Sequence, residues 1–314
     1  MIAEFIDQVD RTAPIYVTSP TDVIFLCGGK TPKASRKPAS LRDAFLKIPN
    51  NPALNGRIVR LAEKVNTFHM ERAAYDDLLE FELDFAQICG LIVLFSESEG
   101  SIAELGSFSV IDEISSRLLV LVRNYYLRDD SFIKLGPIQQ LRNKYGELSV
   151  FTLNDDDIGL RDRKISEVNI DRLSERITPA IDARFEQVRP KSTFSKKSTG
   201  DVIKMMTGLV QDFGALTAKE LKTIIGIFGV KISEKRIDRL MLCAEAALWV
   251  VRERRGFQNF YIALPTRKDA VSIRFKKKAK LFNRARRRQL IRAHWEKTDN
   301  LRFSGITTHA GDGQ

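Results

Sequence analysis

The chain has 314 residues, is 43% hydrophobic and carries a formal net charge of +11, which suits two globular domains and a polyanionic partner. No run approaches the roughly 20 apolar residues of a membrane span, and Met1-Ile2-Ala3-Glu4 does not open a basic-then-apolar leader, so a cytoplasmic protein with no membrane partner is expected. Cys27, Cys89 and Cys243 are far apart and set in apolar runs, and His69, His294 and His309 have no neighbour at ligand spacing, which argues against a disulfide framework and a zinc centre.

Residues Ile2–Val9 suit a short helix. The run from Thr21 to Cys27 meets Gly28-Gly29 and reads as a buried strand entering a turn. Those glycines suit either a plain tight turn or close approach of the backbone to a ligand. Lys30–Pro38 is a polar loop, and Ser40 caps a helix opening at Leu41. On that helix Arg42 either faces solvent or reaches a phosphate or carboxylate. Arg57–Ala62 reads as a second strand. Glu71–Ile88 reads as a helix, with Ala74, Leu78, Phe81, Phe85 and Ile88 on one face.

Gly90-Leu91-Ile92-Val93-Leu94-Phe95 is the most apolar run of the N-terminal half, a strand buried on both faces. Ser96–Gly106 follows, and a helix is expected over Ser101–Ser116. Strand, Gly/Ser turn and helix N-terminus together make an anion-accepting pocket, at the strand ends where open α/β sheets take ligands. Ser98, Gly100 and Ser101 surround this turn. Glu104 fits two roles. Ser101-x-x-Glu104 has capping-box spacing; alternatively the carboxylate faces the anomeric carbon of a sugar held over the turn.

Leu118–Val122 is a further strand, Pro137–Tyr145 a helix and Glu147–Leu153 a strand. The alternation predicts a Rossmann-like parallel sheet covered by helices. Asp155-Asp156-Asp157 lacks calcium-loop spacing and reads as a solvated loop or helix start. Arg161–Val188 reads as a long helix striped by Ile170, Leu173, Ile177, Ile181 and Phe185. Pro179 predicts a kink or break near Ile177. The stripe suits either the sheet or another subunit.

Gly100-Ser101-Ile102-Ala103-Glu104-Leu105-Gly106 after a buried strand resembles the Gly-Thr-x-x-Glu-Leu/Ile-Gly signature of the nucleoside deoxyribosyltransferase family. The first strand with its Gly28-Gly29 turn is similar to that family's first substrate-contacting loop. The resemblance implies that Glu104 is a nucleophile at C1′ of a sugar, with Gly28, Gly29, Arg42, Ser98, Gly100 and Ser101 around the substrate and no metal or cofactor. Ser96 and Glu97 stand where the family has an Asp, and Ser101 replaces its Thr, so recognition of a 2′-deoxy sugar does not carry over.

Arg189–Gly200 reads as a linker by composition. Asp201–Phe213 is then a helix, and Thr217 with Glu220 forms a capping box opening a helix that ends at Gly229. Ser233 caps a helix running to about Leu248, with Ile237, Leu240, Met241, Ala244 and Leu248 on its apolar face. Trp249–Glu253 and Phe257–Leu264 flank a basic turn and read as a β-hairpin. These elements resemble a winged helix-turn-helix, which implies that Lys235, Arg236 and Arg239 enter a groove and that Arg254 and Arg255 touch phosphates. A small helical interaction domain with a solvated charged face is the alternative. Residues 265–302 carry 14 Lys/Arg and 3 Asp/Glu, a net of +11 equal to the charge of the whole chain. Lys276, Lys277, Lys278, Arg284, Arg286, Arg287 and Arg288 in that stretch suit sequence-tolerant phosphate binding.

The expected division is a catalytic domain at 1–188, a linker at 189–200, a winged-helix domain at 201–270 and a basic tail at 271–314. That combination resembles effector proteins of bacterial retron anti-phage systems. The resemblance implies a toxic N-glycosidase with NAD as substrate, partnered by a reverse transcriptase and its branched RNA–DNA hybrid (msDNA), in a homo-oligomer or higher-order assembly. Two alternatives stay open. One is a nucleoside or nucleotide deoxyribosyltransferase or hydrolase. The other is a non-enzymatic DNA-binding regulator in which Glu104 only caps its helix.

Overall fold

The computed structural model describes residues 1–18, 21–32, 34–72, 74–162, 164–187, 191–266 and 268–310. In chain order its principal elements are β1 (Val23–Cys27), α1 (Leu41–Leu46), β2 (Ile58–Leu61), α2 (Ala62–Arg72), α3 (Leu78–Ala86), β3 (Leu91–Phe95), α4 (Glu99–Ser109), β4 (Leu118–Arg123), β5 (Val150–Leu153) and α5 (Ile170–Glu186). Then come α6 (Thr199–Phe213), β6 (Ala215–Leu216), α7 (Ala218–Gly226), α8 (Glu234–Ala246), β7 (Val250–Arg255), β8 (Gln258–Ala263), α9 (Arg284–Thr298) and α10 (Asn300–Ala310).

The chain forms two compact units, and they divide it differently from the linear reading. One unit is Pro20–Val65 with Cys89–Arg189; the other joins Met1–Ser19 and Asn66–Ile88 to Pro190–Gln314. The reason is long-range pairing. Tyr16–Thr18 pairs antiparallel with both Lys191–Thr193 and Val271–Ser272, and α3 packs on α6 and α8. Composition does not show a strand that borrows its partners from 173 or more residues away, as Thr18 does from Lys191.

The first unit is built on a five-stranded parallel sheet in the order β2-β1-β3-β4-β5. Every residue of β1, β3 and β4 is buried, which is why these strands are unbroken apolar runs. α5 supplies Leu173, Ile177 and Ile181 to the core beneath the sheet, so the stripe covers the sheet. The helix starts at Ile170 and continues through Pro179 without a break. Its expected end, Val188, lies outside the described residues. The strand order reverses direction between β1 and β3, and such a switch point opens a crevice at the strand carboxyl ends.

The second unit places β6-β8-β7 in an antiparallel sheet beside α6, α7 and α8. Thr217 and Glu220 form the expected capping box, and Ser233 caps α8. The predicted helix 71–88 is instead α2 and α3, because Asp77 accepts the Glu80 N–H and starts a new helix. Of the expected linker, 189 and 190 lie outside the description, 191–193 is a strand and Ser198 caps α6. The expected tail is folded through residue 310. Ile291 and Trp295 of α9 are buried, and the Trp295 indole N–H donates to the Phe213 carbonyl at 2.9 Å. No helix among the described residues is long and apolar enough to cross a membrane.

Candidate functional site

A cavity of about 1140 Å³ opens at the β1/β3 switch point. Its floor comes from the turns after the strands: Gly28 follows β1, Ser96 to Ser98 follow β3, and Glu99 and Gly100 begin α4. Its lining also includes the apolar Ile102, Val122, Tyr126 and Ile133 and the polar Lys30, Thr31, Arg42 and Glu63.

The start of α4 is set by two serines, and the register differs from the expected one. Ser98 is the N-cap and forms a reciprocal box with Ser101, so the cap expected at Ser101 lies three residues earlier and the helix starts at Glu99. Ser101 is buried, and its hydroxyl accepts the N–H groups of Glu97 (3.1 Å) and Ser98 (2.9 Å). It shapes the turn and does not line the cavity, whereas Ser98 and Gly100 do. A Cβ at Gly100 would meet nothing within 4 Å, so the first turn of α4 is open. Glu104 takes no part in the cap. It is half-buried, lies one turn after Gly100 and is not itself among the cavity-lining residues. Positions i and i+4 share a helix face, so Glu104 and Gly100 lie on the same side of α4, with Glu104 Oε2 buried.

Gly28 and Gly29 serve packing. Gly28 has φ +147°, and a Cβ there would stand 2.8 Å from Phe95 Cβ; at Gly29 it would stand 2.6 Å from Ser40 Cβ. Of the two, only Gly28 lines the cavity. Arg42 is buried. Its Nε donates to the Gly29 carbonyl (2.8 Å), and Nη1 donates to the Leu26 carbonyl (3.1 Å) and to Glu63 Oε2 (2.9 Å). The guanidinium therefore braces the β1 turn and reaches a carboxylate, that of Glu63, instead of facing solvent.

Two carboxylates that the sequence did not single out as site residues shape the same space. Glu97 Oε1 accepts the N–H groups of Gly29 (3.1 Å) and Arg42 (3.0 Å), and Oε2 accepts that of Leu41 (2.6 Å). It thus satisfies the orphan donors at the start of α1 and ties the β3 turn to the β1 turn. Glu63, at the first turn of α2, accepts from the Thr31 hydroxyl at 2.6 Å. Burial alone pushes its carboxyl up, but hydrogen bonds from Thr31, its own backbone and Arg42, together with the Arg42 charge, hold it below the ordinary value. Glu97 lies inside the Ser96–Gly106 motif; nothing local to Glu63 marks it.

The basic residues of the second unit divide into paired and solvated sets. Arg236 pairs with Glu80 (2.7 Å) and Asp84 (2.9 Å), and Arg239 with Asp76 and Glu80. Arg284, Arg287 and Arg288 converge on the buried Asp212 at 2.8, 2.8 and 3.3 Å, and Arg287 lies over the Phe275 ring. Arg255 pairs with Glu253 at 2.9 Å. Lys235, Arg254, Lys276, Lys277, Lys278 and Arg286 are exposed, although Lys276 also donates to the Asp7 carbonyl. Among the described residues no cluster of His, Cys, Asp or Glu is arranged to hold a metal.

The family model for the STM3845 retron effector protein matches residues 38–252. A candidate ribosyltransferase/DNA-binding protein of retron Ec73 from Escherichia coli is 25% identical over 228 residues, which cover 68% of this chain and 69% of that protein. A candidate ribosyltransferase/DNA-binding protein of retron Ec86 from the same organism is 30% identical over 119 residues, 38% of each chain. The matched stretch takes in the cavity floor from β3 to α4, the whole parallel sheet beyond β1, and the helices up to β7. By that coverage the chain belongs to the STM3845 retron effector protein family.

Proposed function

We propose that this effector cleaves the N-glycosidic bond of NAD, using Glu104. The observation that carries the proposal is the α4 entrance: Ser98 and Ser101 complete the cap between themselves, so Glu104 is not spent on it, and the Gly100 face opens on a cavity large enough for a nucleotide. Glu104 attacks C1′, the C1′–N bond breaks, and its electron pair neutralises the pyridinium of departing nicotinamide. Water then displaces the carboxylate from C1′, releasing ribose-linked product and a proton. Glu63, Glu97 and Glu99 around the cavity favour a cationic nicotinamide ring, and the first turn of α4 with Lys30 suits the pyrophosphate. The second unit holds the effector to its reverse transcriptase and msDNA, in a homo-oligomer or larger assembly. Its helix–strand order, α6-β6-α7-α8-β7-β8, supports a winged helix-turn-helix. Purified protein incubated with NAD should release nicotinamide, and Glu104→Gln should not. Nicotinamide release by Glu104→Gln at the parent rate rules the mechanism out.

A second reading is transfer of the glycosyl group to an acceptor base, or hydrolysis of a nucleoside or nucleotide. The relatives' names as candidate ribosyltransferases favour it. Free base from deoxynucleosides but none from NAD would select this reading. A purely regulatory protein is the remaining alternative, with no turnover of either substrate.

A further inference from the structure

The helix expected to enter a nucleic-acid groove is open only at its first turn. Every residue of the chain from Leu240 to Ala247 is buried. Helix α3 takes one flank of α8, where Asp76, Glu80 and Asp84 hold Arg236 and Arg239 as phosphates would. Tyr75 fills the gap beneath them, with both guanidinium groups within 6 Å of its ring and its hydroxyl donating to Asp84. The hairpin takes the other flank, where Asp238 meets Arg252 and the Tyr261 hydroxyl. A groove-reading helix needs a row of side chains open over more than one turn, and α8 is exposed only around Glu234 and Lys235.

The tip of the β7–β8 hairpin has the opposite character. Phe257 is wholly exposed, and its neighbours Arg254, Gln258 and Asn259 are exposed as well. The tip is a tight two-residue turn. Six residue pairs zip the strands, Gly256 takes φ +59°, and Arg254 Nε donates to the Gly256 carbonyl at 3.3 Å. Behind it, Arg255 reaches Ser304 and Thr308, while His309 meets Glu253. Among the described residues Arg254 makes no ion pair. An exposed arginine three residues from a bare aromatic ring is the chemistry that grips unpaired nucleic acid, since every base has a face to stack on and a phosphate next to it.

We infer that this unit meets nucleic acid at the hairpin tip, with Phe257 stacked on an unpaired base and Arg254 on the adjoining phosphate, while α8 is a buried scaffold. The inference rests on the nucleic-acid-holding role proposed above. The test is fluorescence anisotropy of the full chain on labelled single-stranded DNA and on a labelled duplex of equal length. Phe257→Ala should weaken single-strand binding about 10-fold, as expected for one lost stacking contact, and duplex binding far less. Phe257→Trp should restore it. Arg254→Ala should lower the salt dependence by about one phosphate contact. The three positions tested, Phe257, Arg254 and Lys235, are exposed, so thermal melts should match the parent. If Lys235→Ala costs as much as Phe257→Ala, or Phe257→Ala costs nothing, DNA holding stands and the hairpin assignment is overturned. If the parent chain binds neither DNA, the holding role and this inference fail together.

Discussion

Ser98 and Ser101 cap one another: Ser101 Oγ accepts the Ser98 N–H at 2.9 Å, and Ser98 Oγ accepts the Ser101 N–H at 3.3 Å. The pair leaves Glu104 out of the helix cap. A capping box consumes its third residue after the cap, and here that residue is Ser101. Glu104 falls in the second turn of α4, where no backbone donor of the helix start needs it.

Serine and glutamate should therefore separate in mutation. Ser101→Ala removes a buried acceptor serving two N–H groups and should cost about 1–2 kcal/mol of stability. Glu104→Gln should shift stability by less than about 1 kcal/mol while lowering turnover by at least about a thousandfold, the scale on which a lost nucleophile reads out. Urea titration alongside nicotinamide release measures both. A Glu104→Gln protein that unfolds as readily as Ser101→Ala would return the carboxylate to a structural role.

Gly28 should tolerate nothing larger. Its φ of +147° strains any side chain, and a Cβ would press on Phe95 and on Arg42, at 2.8 and 3.2 Å. Gly28→Ala should cost about 2–4 kcal/mol. Gly100→Ala, where the added Cβ meets open space, should stay within about 1 kcal/mol. Equal melting temperatures for the two variants would contradict this packing.

Three arginines share one buried carboxylate, so the C-terminal basic stretch is partly architecture. Asp212→Asn should destabilise the second unit by about 3–5 kcal/mol, because it leaves the buried Arg287 without its counter-charge. Arg286→Ala, on the exposed face of α9, should change stability by less than about 0.5 kcal/mol. Chemical denaturation of both variants is the check, and a mild Asp212→Asn would mean the cluster is solvated.

Glu82 gives the second unit a pH dependence. Burial pushes its carboxyl from 4.5 up to about 7, against a hydrogen bond from Asn66. Between those values the folded chain keeps a proton that the unfolded chain has released, so stability falls as pH rises through that window and levels off above about 7. The loss is on the order of 3 kcal/mol. Glu82→Gln should remove it, which urea melts at pH 5 and pH 8 would show as a smaller difference between the two. An unchanged pH difference would place the effect elsewhere.

What the sequence determined by itself was whatever depends on a few neighbouring residues. The unbroken apolar runs of β1, β3 and β4 announced a doubly buried sheet, and Ser40, Thr217 and Ser233 announced their helices, because burial on both faces and capping leave marks within one element. The strand–turn–helix around Ser96–Gly106 was legible for the same reason, apart from a three-residue shift in the cap that spacing alone does not resolve.

Tertiary structure decided where each charge went. Arg236 sits 152 positions from Asp84 and Arg287 sits 75 from Asp212, so nothing near either arginine showed that its charge was already matched. Arg42 and Glu97 were likewise spent on backbone 13 to 68 positions away. A charged side chain lowers its free energy by finding an opposite charge or a backbone dipole before leaving water. Which one it finds depends on how the chain folds back on itself, and that information is spread over residues that no local pattern connects.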